Sequence, residues 1–583
     1  MNDRQQGFPS QPELFSSLGQ RYVNSADVLL LVCVAACAIA AGAAVRHMLG
    51  PLAAVTATPV HLEFSYLPGY ALRTTLRMFA ALGVSLVFTF CYATLAARSA
   101  RARQILIPLL DVLQSVPILG FLAFTVTFFL ALFPGRILGG ELAAIFTIFT
   151  SQAWNMTLGM YQSLRAVPSE LDEAARCFGL TSWQKFWRLD VPCAVPSLVW
   201  NAMMSMAGGW FMVVYSESIS VGNTEVVLPG IGSYVGRAID QKDIAAIGAA
   251  IAAMMAVILL YDQLLFRPLA AWATRFRLGG GDGGVQVVEP WFLRFLRRTR
   301  LISSFGDALF LAARKISYLK LGRAVGVARP SSSSGRGVSE WLWRGCLVVV
   351  FLAALFLVGR YTYETYAMAE VGHVFVLGGI TMLRVMSMLL LASVIWVPLG
   401  VWLGLDPVRA RRAQLAAQYC AAFPANLFFP VFVVGIVHFN LVPDVWLTPL
   451  MILGAQWYIL FNVIAGASSL PAELLEVCRS LNVRGWFWWR RVLLPGIMPY
   501  YLVGAVAAAG GAWNAAIASE MAQWGDVTLV AHGLGAYIAQ ATLRGDINQI
   551  GLGTVIMCVL VMLLNTLFWR PLSDFAARRL KLN

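Results

Sequence analysis

Residues Glu170 to Pro196 read ELDEAARCFGLTSWQKFWRLDVPCAVP, a polar helical segment between two long apolar stretches. A related segment, ELLEVCRSLNVRGWFWWRRVLLPGIMP, occupies Glu473 to Pro499, 303 positions further along the chain. A segment that recurs in register at a fixed spacing indicates an internal duplication. The matched residues include Glu173/Glu476, Arg176/Arg479, Trp183/Trp486, Pro192/Pro495 and Pro196/Pro499.

The composition of the chain is that of a membrane protein. Of its 583 residues, 59% are hydrophobic and only 12% are charged, and the mean hydropathy is +0.72. A chain of this kind cannot bury its apolar surface inside a water-soluble domain. The formal net charge of +14 is explained by Lys and Arg in cytoplasmic loops, so we expect contact with membrane lipids and none with nucleic acid.

Apolar runs long enough to cross about 30 Å of hydrocarbon recur along both halves of the chain. The sequence therefore predicts an all-α polytopic membrane protein with about 12 transmembrane helices, arranged as two six-helix repeats. The predicted spans are 26–45, 75–97, 105–133, 140–160, 194–218 and 244–266 in the first half, and 343–360, 376–404, 414–438, 444–468, 498–520 and 549–569 in the second.

Basic loops orient these spans in the membrane. Arg98, Arg101 and Arg103 follow the second span, and Arg409, Arg411 and Arg412 follow the eighth. By the positive-inside rule these loops are cytoplasmic, which also puts the polar segments and both termini in the cytoplasm. Because cytoplasmic loops match cytoplasmic loops, the two repeats are parallel and enclose a pathway between them.

The offset between the repeats divides the chain into domains. It is 307 at Pro117/Pro424 and 303 from the polar segment onward, so four residues are missing from the second copy, near the position of Pro134 to Gly140. We predict a cytoplasmic tail at 1–26, a first repeat at 27–270 with its polar segment at 168–190, a linker at 271–340, and a second repeat at 341–583 with its polar segment at 471–493.

The stretch between the repeats is strongly basic. Residues 267–344 contain fourteen Lys or Arg against four Asp or Glu, a net charge of plus ten. Its central part mixes aromatic, aliphatic and basic residues, as interfacial helices do. We therefore expect it to lie on the lipid surface, with binding of a partner as the alternative.

Sequence motifs for chemistry are scarce. The sequence has no GxxxxGK[ST] motif, and none of its five lysines follows a glycine, so we predict no nucleotide site, no cofactor and no enzymatic activity in this chain. The glycine-rich GIGSYVG at 230–236 follows no predicted strand, and we interpret it as a turn. Five dispersed histidines offer no metal site.

The polar segment resembles a known motif. Glu173-Ala174-Ala175, three residues, Gly179, nine residues and then Leu189-Asp190-Val191-Pro192 is similar to the EAA loop of binding-protein-dependent ABC importer permeases. The resemblance extends over nearly all of the chain, in both halves. Gly208 to Trp210 followed by Glu217, with the second-copy counterparts Gly511 to Trp513 and Glu520, resembles the nitrate, sulfonate, taurine and bicarbonate branch in its fused form.

This resemblance implies a function and partners. The chain would be the permease subunit of an ATP-driven importer in the inner membrane, moving a small solute, an anion such as nitrate, sulfonate or bicarbonate, by alternating access. Two ATPase subunits would carry ATP and Mg²⁺, and a periplasmic or lipid-anchored binding protein would deliver the solute. The alternative is an ion-coupled secondary transporter, although the spans show few of the ionisable residues that ion coupling needs.

The polar segments would then be coupling helices that dock on the ATPase subunits. Ser169 can cap a first turn that holds acidic residues, which are favourable at the positive end of a helix dipole. Gly179 would end the helix, and Pro192 would restart the chain into the membrane. The second copy has Val477, Cys478 and Asn482 in place of Ala174, Ala175 and Gly179, so we expect weaker coupling there. The candidate coupling residues are Glu170, Glu173, Ala174, Ala175, Gly179, Glu473, Glu476, Cys478 and Asn482.

A second set of residues is predicted to form the pathway and its gate. Glu217 and Glu520 lie at the outer ends of apolar spans, where an unpaired carboxylate is costly to bury. Pairing each with the arginine of its own repeat removes that cost, so we predict Arg77–Glu217 and Arg384–Glu520 gate pairs, and a charge swap of Arg77 with Glu217 should recover part of the function. Lining the pathway, one or two turns deeper, would be Trp210, Trp513 and Asn514.

Overall fold

The computed structural model of the chain describes residues 60–221, 224–276, 291–298 and 362–579, together with residue 42 and scattered positions between 311 and 360. The predicted tail at 1–26, the first predicted span, and most of the linker and of the span at 343–360 lie outside the described residues.

The first copy is a succession of helices interrupted by one hairpin. Its helices are α1 (Leu67–Arg98), α2 (Ala100–Ser115), α3 (Ile118–Leu132), α4 (Ile137–Arg165), α5 (Ser169–Cys177), α6 (Ser182–Lys185), α7 (Val191–Glu217), α8 (Ile231–Asp240), α9 (Ile244–Tyr261) and α10 (Arg267–Ala273). Strands β1 (Ser218–Val221) and β2 (Thr224–Val227) pair antiparallel between α7 and α8. A short helix, α11 (Trp291–Arg298), follows in the linker.

The second copy has the same order of elements, except that two helices take the place of α4. Its helices are α12 (Met368–Gly404), α13 (Pro407–Ala422), α14 (Phe429–His438), α15 (Pro443–Trp446), α16 (Gln456–Ser468), α17 (Ala472–Ser480), α18 (Gly485–Trp488), α19 (Leu494–Ser519), α20 (Leu534–Arg544), α21 (Ile547–Leu564) and α22 (Arg570–Arg579). Its hairpin consists of β3 (Met521–Trp524) and β4 (Val527–Val530). The two helices in place of α4 are α15 and α16.

The duplication extends to irregular backbone. A five-residue π-helical segment precedes α7 at Phe186–Asp190, and its counterpart precedes α19 at Trp489–Leu493, 303 positions later. A second pair, Asp262–Phe266 and Asn565–Trp569, has the same offset. Since π-helical segments are rare in proteins, two matched pairs show that the copies share backbone detail as well as helix order.

Six helical stretches in the described residues are long and apolar enough to cross a membrane, and up to nine if each bent pair counts as one span. The six fall on predicted spans. The predicted span 140–160 coincides with α4, which is not among them, so the described residues do not establish twelve spans. The six stretches are Phe64–Arg98, Ser182–Glu217, Ile244–Phe276, Met368–Gly404, Gly485–Ser519 and Ile547–Ala576.

Three predicted spans are not continuous, which corrects the sequence-based prediction. The helices of 105–133 meet at 101°, those of 414–438 at 73° and those of 444–468 at 43°. Val116 and Phe423, just before the first two breaks, have extended ψ angles of 122° and 132°. Each precedes a proline, Pro117 or Pro424, and a residue before proline is disfavoured in the helical region.

The two hairpins also correct the prediction of an all-α chain. Each lies directly after a long apolar helix, and in the first copy the sequence there alternates serine with β-branched residues, Ser218-Ile219-Ser220-Val221. Gly525 adopts φ +57 in the tight turn of the second hairpin, and its N–H donates to the Ile239 carbonyl of the first copy at 3.1 Å. The hairpins thus lie beside the boundary between the copies.

The copies exchange their broken helices. Ile118, Leu119 and Ala123 of α3 belong to the hydrophobic cluster that is otherwise formed almost entirely by the second copy. In return, the second copy's break and α14, including Leu427 and Val433, are buried in the cluster of the first copy. Each core is therefore completed by the other copy.

Candidate functional site

A buried ionic centre joins three helices of the first copy where α7 meets the hairpin. The Arg77 guanidinium donates to both carboxylate oxygens of Glu141, at 2.6 and 2.7 Å, and to Glu217 Oε1 at 2.7 Å. Arg77 and Glu217 are at most 1% exposed and Glu141 is 3% exposed. The predicted Arg77–Glu217 pair is present, and Glu141 is a second acid in it that the sequence prediction missed.

Glu217 also holds the start of α8. Its Oε2 accepts from the Gly232 N–H at 2.7 Å, and its Oε1 accepts from the Thr74 hydroxyl at 2.7 Å. A Cβ on Gly230 would lie 2.2 Å from this carboxylate, so only glycine allows so close an approach. The segment interpreted as a turn is therefore mainly the first turns of α8, with Glu217 at its N-terminus.

The second copy repeats this centre in a more open form. Arg384 donates to Glu520 Oε1 at 3.4 Å and to Asp444 Oδ1 at 2.8 Å, and Thr381 donates to Glu520 at 2.8 Å. The Asp444 side chain is 37% exposed and also accepts from the His532 backbone N–H at 2.7 Å. The second predicted pair is thus present with a longer contact, in a centre whose second acid, Asp444, is partly exposed.

Glu141 and Asp444 could have been found in the sequence. They are separated by 303 positions, the same offset as the polar segments, while Thr74 and Thr381 are separated by 307. Both pairs match in register and have polar side chains inside apolar runs. Glu141 and Asp444 lie just after the place where the repeat offset changes from 307 to 303, so an alignment at the earlier offset does not pair them.

The two tryptophans predicted to line the pathway do not face an open space here. Trp210 is fully buried, with its ring 5.5 Å from that of Tyr261, and Trp513 is 2% exposed. Both side chains are packed between helices, because Gly209 and the alanines around Trp513 let neighbouring helices approach closely.

A cavity of about 570 Å³ lies between the copies at the hairpin end. Neither tryptophan lines it. Polar lining comes from both copies, and includes Tyr215, Ser218, Ser233, Arg237, Asp240, Asn426 and Gln523.

Asn514, the third predicted lining residue, lies at the contact between the copies. Its Oδ1 accepts from the Ile118 N–H, just after the break at Pro117, at 2.8 Å. On the opposite side, Asn426 Nδ2 donates to the Phe211 carbonyl at 3.0 Å. Since Phe211 is the register equivalent of Asn514, the two contacts are related by the internal pseudo-symmetry. Each broken helix is thereby fixed to the C-terminal third of the long helix of the other copy.

The first polar segment is built of two short helices instead of the single predicted one at 168–190. Helix α5 begins at Ser169, which is its first residue and not its cap, and Gly179 with φ +61 ends it. The chain turns helical again at Ser182, well before Pro192, because the Thr181 hydroxyl and the Gln184 side chain form a reciprocal capping box. Glu170 and Glu173 are exposed, and Ala174 and Ala175 are half-buried and buried.

The second polar segment, predicted at 471–493, keeps the same shape despite its substitutions. Asn482 adopts φ +51, close to the φ of Gly179, and asparagine tolerates this left-handed conformation. Cys478 is buried like Ala175, and Glu473 and Glu476 are exposed. The departures from the motif therefore do not change the backbone of α17 relative to α5.

What differs between the segments is how each short helix is held. In the first copy, Asp172 accepts from Arg176 and from Lys185 of α6. Leu475 and Trp488, both packed against the hydrophobic core, occupy the positions of Asp172 and Lys185 in the second copy. An ionic brace in one copy is thus replaced by an apolar contact in the other.

We predict that this brace makes α5 sensitive to acid while α17 is not. The Lys185 ammonium, with help from Arg176, holds the pKa of Asp172 below its usual value. Because the folded-state pKa is lowered, the stabilisation is complete above the unfolded value of about 3.9 and is lost as the pH falls through the lowered pKa. Hydrogen exchange, corrected for intrinsic rates, should therefore show α5 losing protection relative to α17 as the pH falls below the unfolded pKa of aspartate.

The matched control is Asp172→Asn, in which α5 should exchange faster at neutral pH and show no further change on acidification. Equal loss of protection in α5 and α17 of the unmodified protein would contradict the prediction, because it would indicate general unfolding.

Comparison with known proteins matches both copies. Residues 89–267 and 380–581 match the family described as "Binding-protein-dependent transport system inner membrane component". The two matched regions together cover more than half of the chain, and each contains one short helix pair and one long helix that ends in a hairpin.

Individual relatives align with part of the chain only. The glycine betaine/proline betaine transport system permease protein ProW of Escherichia coli is 31% identical over 165 residues, 28% of this chain and 42% of ProW. The nitrate import permease protein NrtB of Leptolyngbya laminosa is 25% identical over 178 residues, 30% of this chain and 60% of NrtB. The bicarbonate transport system permease protein CmpB of Synechococcus elongatus is 24% identical over 136 residues, 23% of this chain and 45% of CmpB. The chain thus spans about half the length of the curated relatives it matches.

Proposed function

Because the chain belongs to the family of binding-protein-dependent transport system inner membrane components, we propose that it supplies both halves of the permease of an ATP-driven importer in one polypeptide. The substrate would cross between the copies, and the chain itself would hydrolyse nothing. ATP and Mg²⁺ would be bound by two ATPase subunits, and a periplasmic or lipid-anchored binding protein would deliver the solute.

The observation that carries this proposal is the repeated unit of a short exposed helix, a long apolar helix and a hairpin. Helices α7 and α19, of 27 and 26 residues, are about 40 Å long, enough to span a membrane. Each has a short helix with exposed acids at its start and an ionic centre at its other end. The chain can therefore connect a site outside the membrane on one side with a gate on the other.

We assign α5 and α17 to ATPase coupling and the two ionic centres to the opposite gate. The proposal puts the short helices and both termini in the cytoplasm, and the hairpins and the cavity on the outer face of the inner membrane. The cavity supports this assignment because residues of both copies line it and it lies beside the centres.

For the substrate we propose a small anion, as the names of the nitrate and bicarbonate relatives suggest. Relatives named for betaines make a zwitterion the competing class. Uptake of labelled nitrate, bicarbonate and glycine betaine into proteoliposomes that hold the complete importer would distinguish the two.

The second candidate function is an ion-coupled secondary transporter. Buried carboxylates such as Glu217 and Glu520 are what an ion-coupling site would use. Both are held by arginine, threonine and backbone N–H groups, which favours a structural role. Uptake that needs an ion gradient and no ATP would favour this alternative.

Charge reversal on the short helices tests the coupling assignment. We expect Glu173→Lys to lower ATP-driven uptake at least tenfold in proteoliposomes containing the complete importer, since it reverses an exposed charge on the face we assign to the ATPase. Because α17 has the same backbone shape, the weaker coupling of the second copy expected from sequence loses its geometric basis. Glu476→Lys should therefore have a comparable effect.

Glu364→Lys is the matched control, because its side chain is also exposed and lies outside both short helices. It should leave uptake unchanged. Normal ATP-driven uptake in both Glu173→Lys and Glu476→Lys would overturn the coupling assignment.

A further inference from the structure

A cationic and aromatic surface lies at the start of the second copy's central helix. We call it the Arg–Trp surface, and it consists of the exposed residues Arg484, Trp486, Phe487, Arg490 and Arg491. It falls in or next to Gly485–Ser519, a stretch of membrane-crossing length. Trp486 is 73% and Phe487 61% exposed, and the three arginines form no ion pair with any described residue.

The linker contacts two of the equivalent positions in the first copy. Gln184, the register match of Phe487, is 8% exposed and donates from Nε2 to the Tyr318 carbonyl at 3.1 Å. Arg188, the match of Arg491, lies over the Tyr318 ring, 3.7 Å from its centroid. The chain thus supplies an aromatic partner to one copy, whereas in the described residues the same place in the other copy is uncovered.

We propose that the Arg–Trp surface binds the phosphate headgroups of anionic phospholipids. Tryptophan is favoured at the membrane–water interface, where its ring is amphipathic. An arginine guanidinium pairs with phosphate through two parallel hydrogen bonds and remains charged at the interface. Three arginines beside two aromatic rings at the end of a membrane-length helix therefore match an anionic lipid surface in charge and in position.

Lipid fits this surface better than a basic protein partner does. The acids that a basic protein partner would recognise, Glu473 and Glu476, lie on α17, and the Arg–Trp surface itself contains no acid. The assignment to the cytoplasmic leaflet, where anionic lipids attract basic residues, rests on the proposed function. Binding of the anionic headgroup itself does not depend on that orientation.

Site-resolved photolabelling tests the proposal. The purified full-length chain is placed in nanodiscs that contain a photoreactive phosphatidylglycerol or, separately, a photoreactive phosphatidylcholine. A glutamate-specific protease cleaves after Glu476 and Glu520 in every variant, so the same peptide Val477–Glu520 is compared throughout, and fragment sequencing locates the label within residues 484–491. We expect phosphatidylglycerol to label this surface more strongly than phosphatidylcholine. The ratio of phosphatidylglycerol labelling to phosphatidylcholine labelling should fall about fivefold in each of Arg484→Gln, Arg490→Gln and Arg491→Gln. In the Arg490→Gln/Arg491→Gln pair it should fall by that factor for each arginine removed.

Arg188→Gln is the matched control, because it removes the register-equivalent charge, which already contacts the Tyr318 ring, and the preference at the second-copy peptide should not change. Equal labelling by the two lipids would overturn the proposal. So would labelling by neither lipid together with cross-links to the linker, or loss of phosphatidylglycerol labelling in the complex with the ATPase. Because the readout needs neither ATP nor transport, a failed coupling assignment would leave it intact.

Discussion

Replacing Arg77 by methionine is expected to be the most destabilising single substitution in the described part of the chain. It would leave two carboxylates, Glu141 and Glu217, buried without the cation that both contact. Breaking a buried ion pair by removing one partner typically costs about 3–5 kcal/mol. The start of α8 would also lose order, because Glu217 holds it. Thermal unfolding of the purified protein in detergent measures the loss of stability.

Arg384→Met is the matched comparison in the second copy. Its partner Asp444 is 37% exposed and keeps two contacts with His532, so that carboxylate can be hydrated. Its other partner, Glu520, is fully buried, but its contact with Arg384 is long at 3.4 Å, and it keeps the Thr381 hydroxyl and the Ala536 N–H as donors. We therefore expect a smaller loss than for Arg77→Met. Equal losses for the two changes would show that burial does not decide the strength of these centres.

The charge swap predicted from sequence now has a different expected outcome. In Arg77→Glu/Glu217→Arg, the new carboxylate would face Glu141, and the new guanidinium could accept neither the Gly232 N–H nor the Thr74 hydroxyl. We therefore expect the double change to recover no function. Partial recovery would mean that Glu141 contributes little to the centre.

The second large effect is expected at the left-handed residues that end the short helices. Gly179→Val and Asn482→Val each put a β-branched side chain at positive φ, where it is strongly disfavoured. A non-glycine residue pays about 1–2 kcal/mol there, and more when β-branched, so the turn that fixes α5 or α17 should rearrange. We expect ATP-driven uptake to fall at least tenfold in each.

Asn482→Gly is the control for this prediction. Glycine reaches the same φ without cost, so this change should leave uptake at the level of the unmodified protein or slightly above it. Full uptake in Gly179→Val would show that the turn conformation is not needed. A loss in Asn482→Gly would instead assign a role to the amide side chain.

The sequence predicted the structure best where the free-energy cost of burying a charge requires a partner of opposite charge. A carboxylate at the end of an apolar span needs a partner, and this argument predicted the contacts of Glu217 and Glu520 with arginines more than 130 residues away. The repeat offset likewise predicted where the polar segment recurs, and the hairpins and π-helical segments, which the sequence did not predict, recur at the same offset. These are constraints that act on local sequence or on charge, so a single chain displays them.

The remainder depends on packing in three dimensions, which the pattern of apolar residues does not specify. Trp210 reads equally well as a lining residue or as a core residue, and the close approach of Gly209 to Met78 and Gln152 decides for the core. The prolines at 117 and 424 mark a break but not its angle. Nothing in the sequence of α3 indicates that it belongs to the core of the other copy.

The contacts at the two helix breaks show how the duplicated halves have diverged, and they predict what happens when the chain is split into its two halves. Both amide side chains, Asn426 and Asn514, come from the second copy, and both of their partners in the first are backbone groups. The register equivalents in the first copy are Leu119 and Phe211, which offer no such side chain. Two first halves could not make either contact with each other, so the halves have become complementary rather than interchangeable. A gene cut within the linker should yield two products that assemble together in a one-to-one ratio, whereas the first product alone should fail to pair with itself.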